Sequence, residues 1–141
     1  MRYVIYISYL GTDYHGWQVQ DNALSIQYIL NNSLSKILKE DIKTVGAGRT
    51  DTGVHALNQA AHFDFNKSLD NNDFLYKINS ILPNDISVNK LIKVKDDFHA
   101  RFDALERSYI YKIHLKKTPF LYGLSYRYKN KINLSILNKA C

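Results

Sequence analysis

Residues 3–9, Tyr-Val-Ile-Tyr-Ile-Ser-Tyr, are β-branched and aromatic and predict a strand, which Gly11 breaks. Ile26, Ile29, Leu30, Leu34, Ile37 and Leu38 then recur at helical spacing. They predict a helix over about residues 25–39. Ser25 is its expected N-cap, and Lys36 and Lys39 suit the negative C-terminal end of the helix dipole. A short strand at 44–45 enters a glycine-rich loop. Residues 59–65 alternate, with Ala61, Phe63 and Phe65 on one face, and predict a strand. Phe74, Leu75, Ile78, Ile81 and Leu82 predict a second amphipathic helix closed by Pro83. Strands are predicted over 86–94 and, from the alternation Tyr-Ile-Tyr-Lys-Ile-His-Leu, over 109–115. Residues 135–141 read as the first turns of a further helix, so the chain is expected to be the front portion of a longer protein.

The order β-α-β-β-α-β-β predicts an α+β fold, a ferredoxin-like or RRM-like antiparallel sheet with helices on one face and one added strand. Composition adds little to that picture. Apolar residues make up 45% of the chain, enough to bury a core. The formal net charge of +6 favours a polyanionic partner as much as it describes any soluble basic protein. Eleven Tyr and six Phe are too many for one site, so most are assigned to the core. The single cysteine, Cys141, excludes an intrachain disulfide and suggests a reducing compartment. No long apolar run suggests a signal peptide or a membrane span.

Chemistry concentrates in two loops that hold five of the six glycines: Gly11 and Gly16 in the first, Gly46, Gly48 and Gly53 in the second. The second, 46–55, reads Gly-Ala-Gly-Arg-Thr-Asp-Thr-Gly-Val-His. It lacks the Gly-Lys-Ser/Thr ending of a phosphate-binding P-loop, and no long helix follows it as in a dinucleotide site. If the segment is extended, Arg49 and Asp51 point the same way. The guanidinium then lies by the carboxylate and keeps it ionised for use as a nucleophile, or binds a phosphate. The plainer alternative is a turn aspartate bonding its own backbone, with Arg49 on the surface. The bracketing glycines favour function. An Asp51–His55 acid–base pair is the weaker arrangement, since a turn separates the two. His62 and Asp64 have an i, i+2 spacing, but no third metal ligand is evident, and His114 reads as structural. Residues 98–102, Phe-His-Ala-Arg-Phe, either touch an RNA backbone through Arg101 or pack two rings under the sheet. Tyr109 either stacks on a base or fills the core.

Three segments together carry a family likeness: Tyr14-His15-Gly16-Trp17-Gln18-Val19-Gln20; 46–56; and Phe98-His99-Ala100-Arg101-Phe102 followed by Arg107-Ser108-Tyr109-Ile110-Tyr111. In order and spacing the chain resembles the N-terminal half of the bacterial tRNA pseudouridine synthase A family. The resemblance implies the pseudouridine synthase fold and isomerisation of uridine at positions 38–40, in the anticodon stem-loop of tRNA. It implies Asp51 as the catalytic residue, Arg49 holding the flipped nucleotide and Tyr109 lying against the target uracil. Gln18, His55, Arg101 and Arg107 are expected RNA contacts. No cofactor and no metal are implied. The expected setting is cytoplasmic, with tRNA as partner, no membrane and a homodimer of the full-length protein. Residues 1–115 would form the N-terminal α/β domain with the Asp loop, and 116–141 the connector into a second half. Thr52 stands where the family commonly has Ala, and Ser108 where a basic residue is frequent. The rival function is a non-catalytic RNA-binding ferredoxin-like module; a small hydrolase using Asp51 and His55 is a third reading.

Overall fold

The computed structural model describes residues 1–140. The chain divides into two compact units, Met1–Leu105 and a second from Glu106 onward.

The first unit runs β1 (Arg2–Tyr9), α1 (Ile26–Leu38), β2 (Val45–Gly46), β3 (Ala56–Asp64), α2 (Asn71–Ile81) and β4 (Ile86–Val94). Its strands form one sheet in the order β2-β3-β1-β4, with every neighbouring pair antiparallel. This is the split βαβ arrangement expected from the element order. The register places Ile5 beside Ala61 and Leu91, and Tyr3 beside Phe63. Because side chains alternate across a strand, Tyr3, Ile5, Ile7 and Tyr9 share one face. They join Phe63, Ile26, Leu30 and Leu34 of α1, and Phe74 and Ile78 of α2, in a single buried cluster. Both helices therefore cover the same face of the sheet.

The helix ends follow local rules. Ser25 caps α1, its hydroxyl accepting from the Tyr28 N–H, as its position predicts. Lys39 closes α1 in a left-handed conformation, φ 57°. The second helix begins three residues before the predicted Phe74, because Asp70 caps it by accepting from the Asp73 N–H. Pro83 lies just beyond its C-cap, Leu82. The third strand also starts earlier than its alternation suggested, at Ala56, where Tyr9 still supplies a partner.

In the second unit the predicted strand over 109–115 shrinks to β5 (Ile113–His114), which pairs in parallel with β6 (Tyr126–Arg127). The tyrosine alternation describes two faces, but a strand extends only as far as a neighbour supplies hydrogen bonds. Here the neighbour is two residues long, and Tyr109, Ile110 and Tyr111 stay exposed. The Tyr126 N–H donates to the Lys112 carbonyl, and that of Tyr128 to the His114 carbonyl. The predicted final helix is present as α3 (Leu134–Ala140), its first turn capped by Asn133. Cys141 lies outside the described residues. No helix among them is long and apolar enough to cross a membrane.

Candidate active site

The loop carrying Asp51 links β2 to β3, and what fixes it is the other glycine loop, 10–18. Trp17, 2% exposed, lies under Gly46, where an added Cβ would come within 2.7 Å of the indole. A Cβ at Gly11 would collide with the Val54 carbonyl, and one at Gly16 with the Thr50 carbonyl. These glycines thus permit close backbone approach between the loops. Main-chain bonds join the two: Trp17 N–H to the Thr50 carbonyl (3.0 Å) and Gly53 N–H to the Tyr14 carbonyl (3.3 Å). Side chains add two more. The Gly11 N–H donates to His55 Nδ1 (2.9 Å), and the buried Tyr9 hydroxyl pairs with Thr50 Oγ1 (2.9 Å).

Further bonds hold the base of the loop. Gln59 Nε2 donates to the Gly48 carbonyl. From α1, Gln27 Nε2 donates to the Thr44 carbonyl, and the Asn31 side chain accepts from both the N–H and the hydroxyl of Thr44. The Asp51 carbonyl accepts from the Val54 N–H across a turn whose third residue, Gly53, has φ 79°. A left-handed residue at that place favours glycine.

This framework leaves Thr50 facing inward and Arg49 and Asp51 both exposed. The expected Arg49–Asp51 ion pair is not formed among the described residues. The residues leave strand geometry after Gly46, so the i, i+2 rule no longer brings their side chains together. Nor does the Asp51 carboxylate hydrogen-bond any described residue, so the turn aspartate that satisfies its own backbone is not what forms. His55 Nδ1 accepts from Gly11, so that nitrogen is not available to an acid–base pair with Asp51.

The other candidates occupy distinct places. Gln18 is exposed in the first loop. Arg101 is exposed, its guanidinium 5.8 Å from the Phe102 ring centroid. Phe102 does not pack under the sheet: it is 74% exposed and stacks on His99, with centroids 4.2 Å apart. The 98–102 segment is tied down instead by Arg2, which donates to the Phe98 carbonyl and makes a two-pronged bond to Asp64. That pairing holds the Asp64 carboxyl below the usual carboxylate range. Buried His62 accepts from the Ala100 N–H through Nδ1, and burial, then the nearby Arg2 and His99 charges, push it below the ordinary histidine range. Asp64 and His62 are thus structural groups. Arg107 and Tyr109 belong to the second unit, both exposed.

Tyr9, Trp17, Thr50 and Gln59 were not singled out from the sequence as supports of the loop. The hint was present for Gln59, a polar residue inside an alternating strand. For Thr50 the only signal was its place between two charged candidates.

A glycine-bracketed loop thus presents an exposed aspartate and an exposed arginine beside β2, the edge strand of a ferredoxin-like sheet. Sequence comparison makes the class definite: the tRNA pseudouridine synthase family matches residues 5–103, and the chain belongs to that family. Among its relatives, the tRNA pseudouridine synthase A of Bacteroides fragilis is 48% identical over 140 residues, covering 99% of this chain and 56% of that protein. That of Bacteroides thetaiotaomicron is 46% identical, with 99% and 52% covered. The synthase A of Aquifex aeolicus is 39% identical, with 96% and 57% covered. The chain spans about half the length of the curated relatives it matches.

Proposed function

We propose that the protein containing this chain isomerises uridine to pseudouridine in tRNA, with Asp51 as the catalytic carboxylate. The observation that carries this reading is the contrast between Asp51 and its surroundings. The backbone on either side is fastened to the protein body through Thr50 and Gly53, while the carboxylate itself faces outward with no internal partner. A carboxylate so held is preorganised for an external substrate, in keeping with the cost of misplacing reacting groups.

The chemistry requires the N1–C1′ bond to break, the base to turn, a C5–C1′ bond to form, the C5 proton to leave and N1 to take up a proton in its place. A base cannot turn within a stack, so the nucleotide must flip out, which costs a few kcal/mol. Exposed Arg49, two residues from Asp51, is the group proposed to hold the flipped nucleotide's backbone. Tyr109 is proposed to lie against the freed uracil. The carboxylate can act by attack on the base, attack on C1′ or removal of a sugar proton. The proposed targets are positions 38–40 of the anticodon stem-loop. Gln18, His55, Arg101 and Arg107 are proposed RNA contacts, with no cofactor, in a cytoplasmic homodimer. Residues 1–115 are assigned to the N-terminal domain, and those from 116 to the connector into a second half.

Release of tritium from tRNA labelled at uracil C5 tests the reading in the full-length protein. Asp51→Asn should abolish release, leave tRNA binding within a few-fold and leave stability unchanged. Surviving release refutes the Asp51 assignment. Wild-type binding without release would favour the RNA-binding module instead.

A further inference from the structure

Positive charge is distributed very unevenly along the chain. Residues 106–141 contain eight of the 19 Lys and Arg but one of the 13 Asp and Glu, leaving 11 basic and 12 acidic residues in 1–105. The unit that presents Asp51 is therefore nearly neutral, at −1, and the second segment carries +7. Its one acid, Glu106, accepts a hydrogen bond from the neighbouring Ser108 hydroxyl.

Topology gathers part of this charge. Strands β5 and β6 are parallel, with Ile113 opposite Tyr126 and His114 opposite Arg127. The chain therefore leaves both strands at the same end. Leu115-Lys116-Lys117 follows one strand and Tyr128-Lys129-Asn130-Lys131 the other, and the bond from the Tyr128 N–H to the His114 carbonyl keeps the exits side by side. Lys116 and Lys129 each lie two residues beyond a paired position. All four lysines are exposed, and none is in an ion pair among the described residues. Both exits thus carry lysines away from the same end of a small sheet, and no ion pair to an acid offsets them among the described residues. A polyanion supplies the missing charge.

We propose that Lys116, Lys117, Lys129 and Lys131 form a contact surface for the sugar–phosphate backbone of the RNA substrate. The proposal rests on the chain being part of a tRNA-binding enzyme and adds where the backbone is gripped. Lysine suits the task because it meets phosphate as a point charge without demanding a base or a fixed fork geometry. The surface therefore contributes affinity and orientation, not sequence preference.

Ionic strength reads it directly. Each phosphate contact contributes about 0.7–0.9 to the slope of log affinity against log salt. In the full-length protein, changing all four lysines to Gln should lower that slope for tRNA by about 3 and weaken binding at 50 mM salt by about tenfold or more. The two double variants, at 116 and 117 and at 129 and 131, should each give about half the change in slope. Arginine at all four positions should preserve it. Tritium release at saturating tRNA should keep its kcat in every variant, with KM alone rising. A control neutralising Lys36, Lys39, Lys43 and Lys67 removes the same charge from the first unit and should leave the slope unchanged. Equal slopes for the Gln variant and wild type would overturn the proposal, as would an equal loss in the control. Failure of wild type to bind tRNA would sink the functional reading itself, whereas the lysine comparison concerns only the surface.

Discussion

Glycine 16 offers a quantitative test of how the Asp51 loop is held. Its φ of 78° is a conformation that costs an L-residue about 1–2 kcal/mol. Its Cβ would also collide with the Thr50 carbonyl oxygen and lie 3.2 Å from the Asp51 carbonyl carbon. Both obstacles are backbone, which cannot swing aside as a side chain would. Restoring ordinary contact requires the loops to separate by about 1 Å. That stretches the 3.0 Å bond from the Trp17 N–H to the same carbonyl beyond useful range, at a cost of about 1 kcal/mol. Gly16→Ala should therefore destabilise the fold by about 2–4 kcal/mol in urea titration. A shift of that size at the residue next to Asp51 should lower kcat for tritium release about 10²-fold in the protein that remains folded. Gly53→Ala is the matched control. Its φ is 79°, but an added Cβ meets nothing within 4 Å. It carries only the conformational cost, about 1–2 kcal/mol, and should keep kcat within a few-fold. If Gly16→Ala turned over like Gly53→Ala, the loop contact would not be what positions Asp51.

Two further outcomes are expected. His55→Ala leaves the Gly11 N–H without its acceptor and should cost about 1–2 kcal/mol by thermal or urea unfolding while release of tritium persists; loss of turnover with stability intact would instead support a catalytic His55. His62 has a folded-state pKa below its unfolded value, so the unfolded chain binds the proton more readily, and stability should be full above about pH 6.5 and fall as pH drops from there toward the lowered folded value. Urea titrations across that window should show the fall in wild type and a flatter profile in His62→Gln, whose amide oxygen can still accept from the Ala100 N–H.

What was legible beforehand depended on how local each cause is. Ser25 could be read as a cap because the group it satisfies, the Tyr28 N–H, is three residues away. The strand over 86–94 was read from its own apolar residues, and it forms at full length because β1 pairs with it in a long register. The strand over 109–115 could not, because alternation carries no information about whether a partner strand is present. The same limit applied at the candidate site. The glycines marked where backbone would be crowded, yet what crowds them is distant in sequence: Val54 for Gly11, Thr50 for Gly16, Trp17 for Gly46. Spacing put Arg49 and Asp51 on a common side and suggested that they meet. Instead Thr50, between them, is the residue that bonds inward, to Trp17 and Tyr9. An inward threonine between two outward charges leaves both side chains exposed, which is the arrangement the proposed grip on a flipped nucleotide requires. The motif is thus read best by its middle residue, whose neutrality in sequence conceals the part it has in holding Asp51.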